Sequence, residues 1–366
     1  MTIQQDAPGK LYVAGEYAVL NAGNPAVITP VGRKLTVTAS RPANHDRARI
    51  ESDQFPGQTA DWRIQPNGSP TFGFPSSGAR EKQTFTASAL RTAEEYAAAK
   101  QHGQAASEPY DLRISSKLDA SDGRKLGIGS SAAVTVATIK TALAWHGILP
   151  EDPKQATPLV FKLAAIAHLM AQGNGSCGDI AACAAGRLVE YRSFDREWLR
   201  VELGRNPMPA LIDARWPGLS IEPLPERNDI RFLAGWTGTP ASTKEFVSKT
   251  RHGGVSSAME GFASASARVV ELLAGALRDD DCDTARSAIR QDRALLESFA
   301  ASRGIELETP AIAAALRAAD SIGVAAKTSG AGGGDCVIAC VSSEMEEEAV
   351  KNLWIRIGVV PLESVE

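Results

Sequence analysis

The sequence predicts a mixed α/β (α+β) protein built from two lobes. Three observations support this fold class: the chain has 366 residues, short strand-like segments alternate with helical patterns, and a proline-rich stretch interrupts that alternation. A chain of this length favours two domains or one large two-lobed domain. We therefore expect one lobe at residues 1–205 and a second at 229–366, joined by a crossover at 206–228.

Both lobes contain candidate strands and helices. Six short segments are rich in β-branched or aromatic residues, as strands are: Leu11–Ala14, Leu35–Ala39, Asp111–Ser115, Leu188–Tyr191, Ile230–Thr237 and Val337–Val341. Apolar residues recur at helical spacing in five further stretches, at 85–97, 159–170, 262–276, 295–299 and 312–319.

Two stretches break this texture. Residues 52–80 are dense in Gly, Pro, Ser and Asn, which predicts a long loop or an irregular hairpin. Residues 206–228 contain five prolines, and for that reason we place the crossover between the lobes there.

Composition excludes several classes of protein. Hydrophobic residues make up 43% of the chain and charged residues 22%, as in ordinary soluble proteins. A formal net charge of −4 gives no global attraction for nucleic acid or an anionic membrane, so any anion site must be local. The five cysteines lack CxxC spacing, which argues against structural zinc or a disulfide framework. With no signal-peptide pattern and no long apolar run, the sequence predicts a cytoplasmic protein without nucleic-acid or membrane partners.

The segment KLGIGSSAAVTVATIKTAL, residues 125–143, is the strongest chemical signal. Gly127 and Gly129 permit a tight turn, Ser130 and Ser131 are candidate N-caps, and a helical stretch follows. The N-terminus of such a helix offers unpaired N–H groups and a positive dipole end that bind phosphate, and a serine hydroxyl there can ligate Mg²⁺. A plain N-capped helix after a glycine turn explains the same letters, and the GxxxxGK[ST] pattern of a Walker loop is absent.

Two further segments carry small residues and acids. Residues 327–341, KTSGAGGGDCVIACV, form either a glycine-rich loop that wraps a ligand with backbone amides or a flexible hairpin. In residues 171–186, Asp179 follows a Gly–Ser turn at the start of a helix. It is either a common first-turn acid or a carboxylate that orients or deprotonates a nucleophile.

Charged and polar residues also occur where the pattern is otherwise apolar. Lys10 and Glu16 lie within GKLYVAGEYAVL, residues 9–20, where unpaired buried charges would cost several kcal/mol, so they are either paired or used in chemistry. Residues 235–246, GWTGTPASTKEF, include Ser242 and Thr243. This segment is either a capped helix start or the polar wall of a pocket for an anionic substrate.

Three of these segments resemble a known family. APGKLYVAGEYAVL, GIGSSAA and KTSGAGGGDCVIA are similar to the three motifs of the GHMP small-molecule kinase superfamily, in the same order. GEY, GWTGTPAST and SGAGGGD are most similar to the members that act on phosphomevalonate. The resemblance implies a two-lobed GHMP kinase fold, with an N-terminal α/β lobe that contains a left-handed βαβ crossover and a C-terminal ferredoxin-like lobe. Segment 52–80 aligns with no motif.

The resemblance also implies roles for individual residues. Lys10 and Asp179 would be the catalytic pair, and Glu16 would be a structural ion-pair or hydrogen-bond acceptor or, alternatively, a substrate contact. The ATP phosphates would be bound by Gly127, Ile128, Gly129, Ser130, Ser131 and Ala132, with Ser131 also holding Mg²⁺. The substrate would be bound by Lys10, Tyr17, Ser242, Thr243, Ser329, Gly330, Ala331 and Gly332.

The implied reaction is ATP-dependent phosphorylation of (R)-5-phosphomevalonate to 5-diphosphomevalonate in the mevalonate pathway to isopentenyl diphosphate. ATP and phosphomevalonate would be its small-molecule partners, Mg²⁺ its cofactor, and a monomer or homodimer its assembly. Two alternatives stay open. One is a GHMP kinase that acts on mevalonate or another small molecule, and the other is a non-catalytic sensor on the same scaffold.

Overall fold

The structure is a computed structural model that describes residues 1–42, 47–65, 68–100, 108–120, 122–226, 229–238, 257–334 and 336–362. Within these residues the chain forms two β-sheets and the helices that cover them. None of the described helices is long and apolar enough to cross a membrane.

The larger sheet contains eight strands and carries the N-terminal segment. A long antiparallel hairpin of β1 (Thr2–Ala14) and β2 (Pro25–Ser40) forms its centre, with Lys10 opposite Pro30. The other strands are β3 (Ala48–Ser52), β4 (Ala60–Ile64), β5 (Pro70–Gly73), β6 (Asp111–Ser116), β7 (Val189–Arg192) and β8 (Ser220–Pro223). Their order is β5-β4-β3-β6-β2-β7-β8, with β1 paired to β2.

Among these pairs, β3 and β6 run parallel, whereas the others are antiparallel. Seven helices accompany the sheet: α1 (Ser77–Lys82), α2 (Thr84–Lys100), α3 (Ser130–Trp145), α4 (Pro153–Gln172), α5 (Gly178–Ala185), α6 (Arg196–Leu203) and α7 (Met208–Asp213). The connection from β3 to β6 contains β4, β5, α1 and α2.

The smaller sheet belongs to the second lobe and is antiparallel. Its strands are β9 (Arg231–Trp236), β10 (Ala325–Ser329), β11 (Cys336–Val341) and β12 (Val360–Leu362), in the order β10-β11-β9-β12. The helices are α8 (Ser257–Asp279), α9 (Cys282–Ala301), α10 (Pro310–Asp320) and α11 (Glu344–Arg356). Strand–helices–strand–strand–helix–strand with this order is the ferredoxin-like arrangement, so the expected fold class is confirmed.

The alternation of side chains along β11 explains how this strand contributes to two hydrophobic clusters, one of which continues into the first lobe. Cys336, Ile338 and Cys340 point into the large core that continues through the first lobe. Val337, Ala339 and Val341 point the other way, into a second cluster with α10 and α11. Because successive side chains of a strand alternate between its faces, a strand that is apolar throughout is buried on both sides.

All six predicted strands overlap observed strands, and all five predicted helical stretches lie in observed helices. Of the two forms predicted for 52–80, a long loop or an irregular hairpin, the structure contains the hairpin: β4 and β5 pair antiparallel, and the segment also includes the start of α1. In β4, Ala60 and Trp62 are buried, and the Trp62 indole N–H donates to the Tyr110 carbonyl over 2.9 Å.

The proline-rich stretch at 206–228 is also more ordered than its composition suggests. It contains helix α7 and strand β8, which pairs with β7 and so extends the larger sheet. The last strand of the larger sheet ends at Pro223, and the first strand of the smaller sheet begins at Arg231.

Candidate active site

Strand β1 brings Lys10 to the start of helix α3. The backbone N–H of Lys10 donates to the carbonyl of Ile128 over 2.8 Å. The aliphatic stem of Lys10 lies against Gly129, and its Nζ is 5.3 Å from the centroid of the Tyr12 ring. The first and second glycine-containing motifs therefore meet at this lysine.

The glycine loop before α3 has the backbone that its residues predict. Gly127 and Gly129 have φ of 72° and 84°, the left-handed region that favours glycine. The expectation that Ser130 and Ser131 are N-caps is wrong: Gly129 is the N-cap, and the serines occupy the first helical turn. Because neither hydroxyl caps the helix, the first-turn N–H groups and the serine side chains remain at its positive end.

Ser131 has a buried histidine as its neighbour. Its Oγ lies 3.5 Å from Nε2 of His168, which is 3% exposed and stacks on Phe85 at 4.8 Å between centroids. Burial lowers the pKa of His168, and the Asp179 carboxylate opposes that shift. A neutral imidazole therefore borders the first turn of α3.

Asp179 lies in the first turn of α5, after Cys177, which has a left-handed φ of 61°. The segment is packed closely on β1, since a Cβ on Gly178 would lie 2.5 Å from the Tyr12 hydroxyl oxygen. Ser176 and Tyr12 share a side-chain hydrogen bond of 2.9 Å. These contacts fix the start of α5, and with it the carboxylate, beside β1.

The charges of Lys10 and Asp179 both affect the buried Cys183 thiol, although the two side chains do not form an ion pair with each other. Burial raises the pKa of the Cys183 thiol, the Asp179 carboxylate adds to that rise, and the Lys10 ammonium opposes it. In the part of the chain that the structure describes, the two charges form no ion pair within 4.0 Å. The two charges therefore lie near the same buried thiol and stay unpaired with each other.

The third motif forms a loop between β10 and β11. Gly330, Gly332 and Gly333 have positive φ values of 84°, 74° and 73°. A Cβ on Gly332 would overlap Cδ1 of Leu307, and the N–H of Gly333 donates to the Leu307 carbonyl over 2.8 Å. The loop therefore needs its glycines both for backbone conformation and for close approach.

Tyr17 and Ser329 anchor this loop to the first lobe. The Tyr17 hydroxyl donates to the Ala331 carbonyl in a short hydrogen bond, and the Ser329 hydroxyl donates to the Tyr12 carbonyl over 2.8 Å. Both side chains are buried. Their polar groups are thus used to hold the loop between β10 and β11 in this structure.

Glu16, the second charge of the first motif, is paired. Its carboxylate accepts from the Nζ of Lys327 in a short ion pair and from the N–H of Gly330 over 3.3 Å. Lys327 also pairs with Asp292 over 3.2 Å. The structural ion pair predicted as one role for Glu16 is what the structure contains.

Four of the predicted site residues contribute no side chain to the site as the structure describes it. Ser242 and Thr243 fall outside the described residues. Ile128 and Ala132 are buried, so they contribute backbone groups and packing rather than side-chain contacts.

Sequence reasoning missed Asp292, Leu307 and the pairing role of Lys327. A lysine inside the apolar strand Ala325–Ser329 is the one signal that a buried partner had to exist.

The described residues contain no group of three or more His, Cys, Asp or Glu side chains that could hold a metal ion. Mg²⁺ that arrives with a nucleotide needs only one or two protein oxygens, because phosphates and water supply the rest. The Ser131 hydroxyl, in the first turn of α3 and 3.5 Å from His168, is a residue type and position that suits such an ion.

Comparison with known proteins covers both lobes. The GHMP kinases N terminal domain family matches residues 87–187, and the GHMP kinases C terminal family matches residues 273–358. Phosphomevalonate kinase from Streptomyces sp. (strain CL190) is 36% identical over 373 aligned positions, which cover 99% of this chain and 96% of that protein.

Solved structures agree over the full length. The Lin0012 protein from Listeria innocua superposes with a TM-score of 0.88 at 33% identity, covering 100% of this chain and 97% of that one. The Streptococcus pneumoniae phosphomevalonate kinase in complex with phosphomevalonate and AMPPNP superposes with a TM-score of 0.81 at 28% identity. That alignment covers 98% of this chain and 97% of the other.

Proposed function

The chain belongs to the GHMP kinase family, and we propose that it transfers the γ-phosphoryl group of ATP to (R)-5-phosphomevalonate, giving ADP and 5-diphosphomevalonate. The similarity to phosphomevalonate kinases over nearly the whole chain supports this substrate. The observation in the site that carries the proposal is the placement of Lys10 against Gly129, at the N-terminus of α3.

The donor side of the cleft is the first turn of α3. Backbone N–H groups of Ser130, Ser131 and Ala132 face the end of the helix and would bind the ATP phosphates through hydrogen bonds and the helix dipole. The Ser131 hydroxyl would hold Mg²⁺, which supplies charge neutralisation on the phosphates.

Lys10 lies where the transferring group would leave the donor. Its ammonium would contact both the γ-phosphoryl group and the acceptor phosphate, and would stabilise negative charge as it spreads over the transferring oxygens. Lys10 has no ion-pair partner among the described residues, so its charge is available for this purpose.

Asp179 would orient the acceptor phosphate and take up its proton when one is present. The second pKa of a phosphomonoester is about 6, so the acceptor is already largely anionic at neutral pH. A strong general base is therefore less necessary than for an alcohol acceptor, and positioning with charge stabilisation dominates. The backbone amides of Ala331, Gly332 and Gly334, which are not used in the loop contacts of Gly330 and Gly333, would bind the rest of the acceptor.

Two alternatives are tested with the proposal. A kinase of the same family that acts on mevalonate would keep the donor side and Lys10, and a non-catalytic sensor would bind ligands without turnover. We also propose a cytoplasmic location, which the five free thiols support, because a reducing compartment keeps thiols unpaired.

The experiment is a coupled ADP-release assay with Mg-ATP, in which mevalonate and 5-phosphomevalonate are offered separately. We expect turnover with phosphomevalonate alone. Turnover with mevalonate alone would move the substrate to the alternative kinase, and binding of both ligands without ADP release would favour the sensor.

A further inference from the structure

A buried cluster of three charges lies outside the reaction scheme. Lys327 of β10 is 0% exposed, and its ammonium lies between the carboxylates of Glu16, after β1, and Asp292, in α9. We call Glu16, Lys327 and Asp292 the buried triad. Its members come from three elements of both lobes, at positions far apart in the sequence.

A buried cluster of charges contributes little net stability to a fold. Removing charges from water costs several kcal/mol per ion, and well-packed apolar residues often replace buried ion pairs without loss of stability. Burial raises the pKa of Asp292, Lys327 opposes that shift, and Glu16 adds to it. The triad therefore contains a carboxyl group whose charged form is disfavoured by burial, which packing alone does not require.

The buried triad also contacts the loop between β10 and β11, which we call the acceptor loop. The Glu16 oxygen that pairs with Lys327 also accepts the N–H of Gly330, the first residue of that loop. The next residue along the chain from Glu16, Tyr17, donates to Ala331. The turn after β1 is thus hydrogen-bonded to two successive residues of the loop. Glu16 is itself held in place by its ion pair with Lys327.

Helix α9 holds the loop from its other side. Asp292 extends from the middle of this helix to Lys327, and Leu307, which follows the helix, bonds to Gly333. Movement of α9 would therefore be transmitted to the loop at two points.

We propose that Asp292 and Lys327 are positioning residues for the acceptor. They hold the Glu16 carboxylate so that it fixes Gly330, and with it the backbone amides of Ala331, Gly332 and Gly334, in the arrangement that binds the acceptor. This inference rests on the proposed function for the identity of the acceptor, but the loop contacts themselves do not depend on it.

The first test compares Asp292→Asn with Glu346→Gln. Glu346 pairs with Arg286 of the same helix α9 but bonds to Ser342, away from the loop, so its variant breaks an ion pair of the lobe without reaching the triad. We expect Asp292→Asn to raise KM for phosphomevalonate about tenfold, with KM for ATP changed less than about twofold. Glu346→Gln should change neither constant.

The second test needs no substrate. Hydrogen exchange of the full chain is followed in peptides that cover residues 325–334 and the first turn of α3. We expect faster exchange in the loop peptide of Asp292→Asn by about tenfold, with the α3 peptide unchanged. Should Asp292→Asn not fold, Glu16→Gln is measured instead, because it keeps the side-chain volume while removing the charge that Lys327 holds.

These readouts separate the inference from the proposed function. If the wild-type chain phosphorylates neither mevalonate nor phosphomevalonate, the function fails, while loop exchange still decides whether the triad positions the loop. If the variants only lower Tm, with loop exchange and the acceptor KM unchanged relative to Glu346→Gln, the triad is purely structural and the inference is overturned.

Discussion

Gly129 leaves no room for a side chain beside Lys10: a Cβ on Gly129 would lie 2.8 Å from Cε of the lysine. The φ of 84° at Gly129 starts helix α3, and the missing side chain lets the lysine stem pass along the helix N-terminus. One glycine thus sets both the backbone at the start of α3 and the position of the ammonium group.

Gly129→Ala should therefore displace Lys10. We expect kcat to fall at least about tenfold, because a catalytic charge moved by a fraction of an ångström loses much of its effect. Gly147→Ala is the control, since Gly147 follows the other end of α3 with φ of 68° and nothing near its Cβ position. Equal activity losses in the two variants would show that backbone strain, not the contact with Lys10, is responsible.

Lys10→Met and Asp179→Asn should each lower kcat at least about a hundredfold while Tm stays nearly constant. Neither residue has an ion-pair partner among the described residues, so neither substitution leaves a charge orphaned. Lys34→Met, on β2 and paired with Asp6 at the surface, controls for loss of a lysine from the hairpin. A large fall in Tm with little change in kcat would make the residue structural.

Ser131→Ala should weaken the use of Mg-ATP. The hydroxyl is not a helix cap, so its loss removes a metal ligand without weakening the helix. We expect the Mg²⁺ concentration for half-maximal activity to rise at least about threefold. Ser77→Ala, in the first turn of α1, is the control, and unaltered constants in Ser131→Ala would remove the metal role.

Asp292 should make stability depend on pH. Its folded pKa is raised to about 7 by burial, above the ordinary value of 3.8, so the folded state binds more protons between these values. The free energy of unfolding contributed by this group therefore falls as pH rises from about 4 to about 7. Asp292→Asn lacks this loss, so its Tm relative to wild type should rise over that window.

Thermal denaturation from pH 4.5 to 8 measures this difference. Asp229→Asn, at an exposed carboxylate, is the control, and we expect its Tm to run parallel to wild type. A constant offset between Asp292→Asn and wild type across the range would contradict the prediction.

Cys282 should be the reactive thiol of the five. A hydrogen bond with the Cys340 thiol lowers its pKa to about 7, and Arg286 assists, whereas the other four cysteines are buried. We expect one thiol to react rapidly with iodoacetamide, with half-maximal rate near pH 7, because the thiolate is the nucleophile. Cys282→Ser should abolish this reaction, and fast labelling that persists in the variant would assign it to another cysteine.

The elements that sequence predicts well are those whose pattern is local. The composition and the spacing of apolar residues predict strand β11 and helix α4. The glycine residues predict the loop before α3. Strand β4, which contains Trp62, is harder to predict. Its alternation of buried and exposed residues spans only five positions, between Gly- and Pro-rich neighbours.

The buried triad could not be predicted because its members pair across the lobes. Asp292 is one of three acidic residues in the amphipathic helix α9, and nothing near it in the sequence distinguishes it from the two exposed ones. The left-handed φ of 59° at Tyr17 is likewise set by tertiary contacts with the loop, since its residue type disfavours it.

Strand β1 has a consequence for how this chain can vary in length. It bonds to the glycine loop before α3 at Lys10 and to strand β10 at Tyr12, with irregular register on either side of these residues. One inserted or deleted residue there would turn all later side chains to the opposite face of the sheet, and the two contacts could no longer form together. The β4–β5 hairpin at the sheet edge has no such double duty, so natural length changes and engineered insertions should be tolerated there.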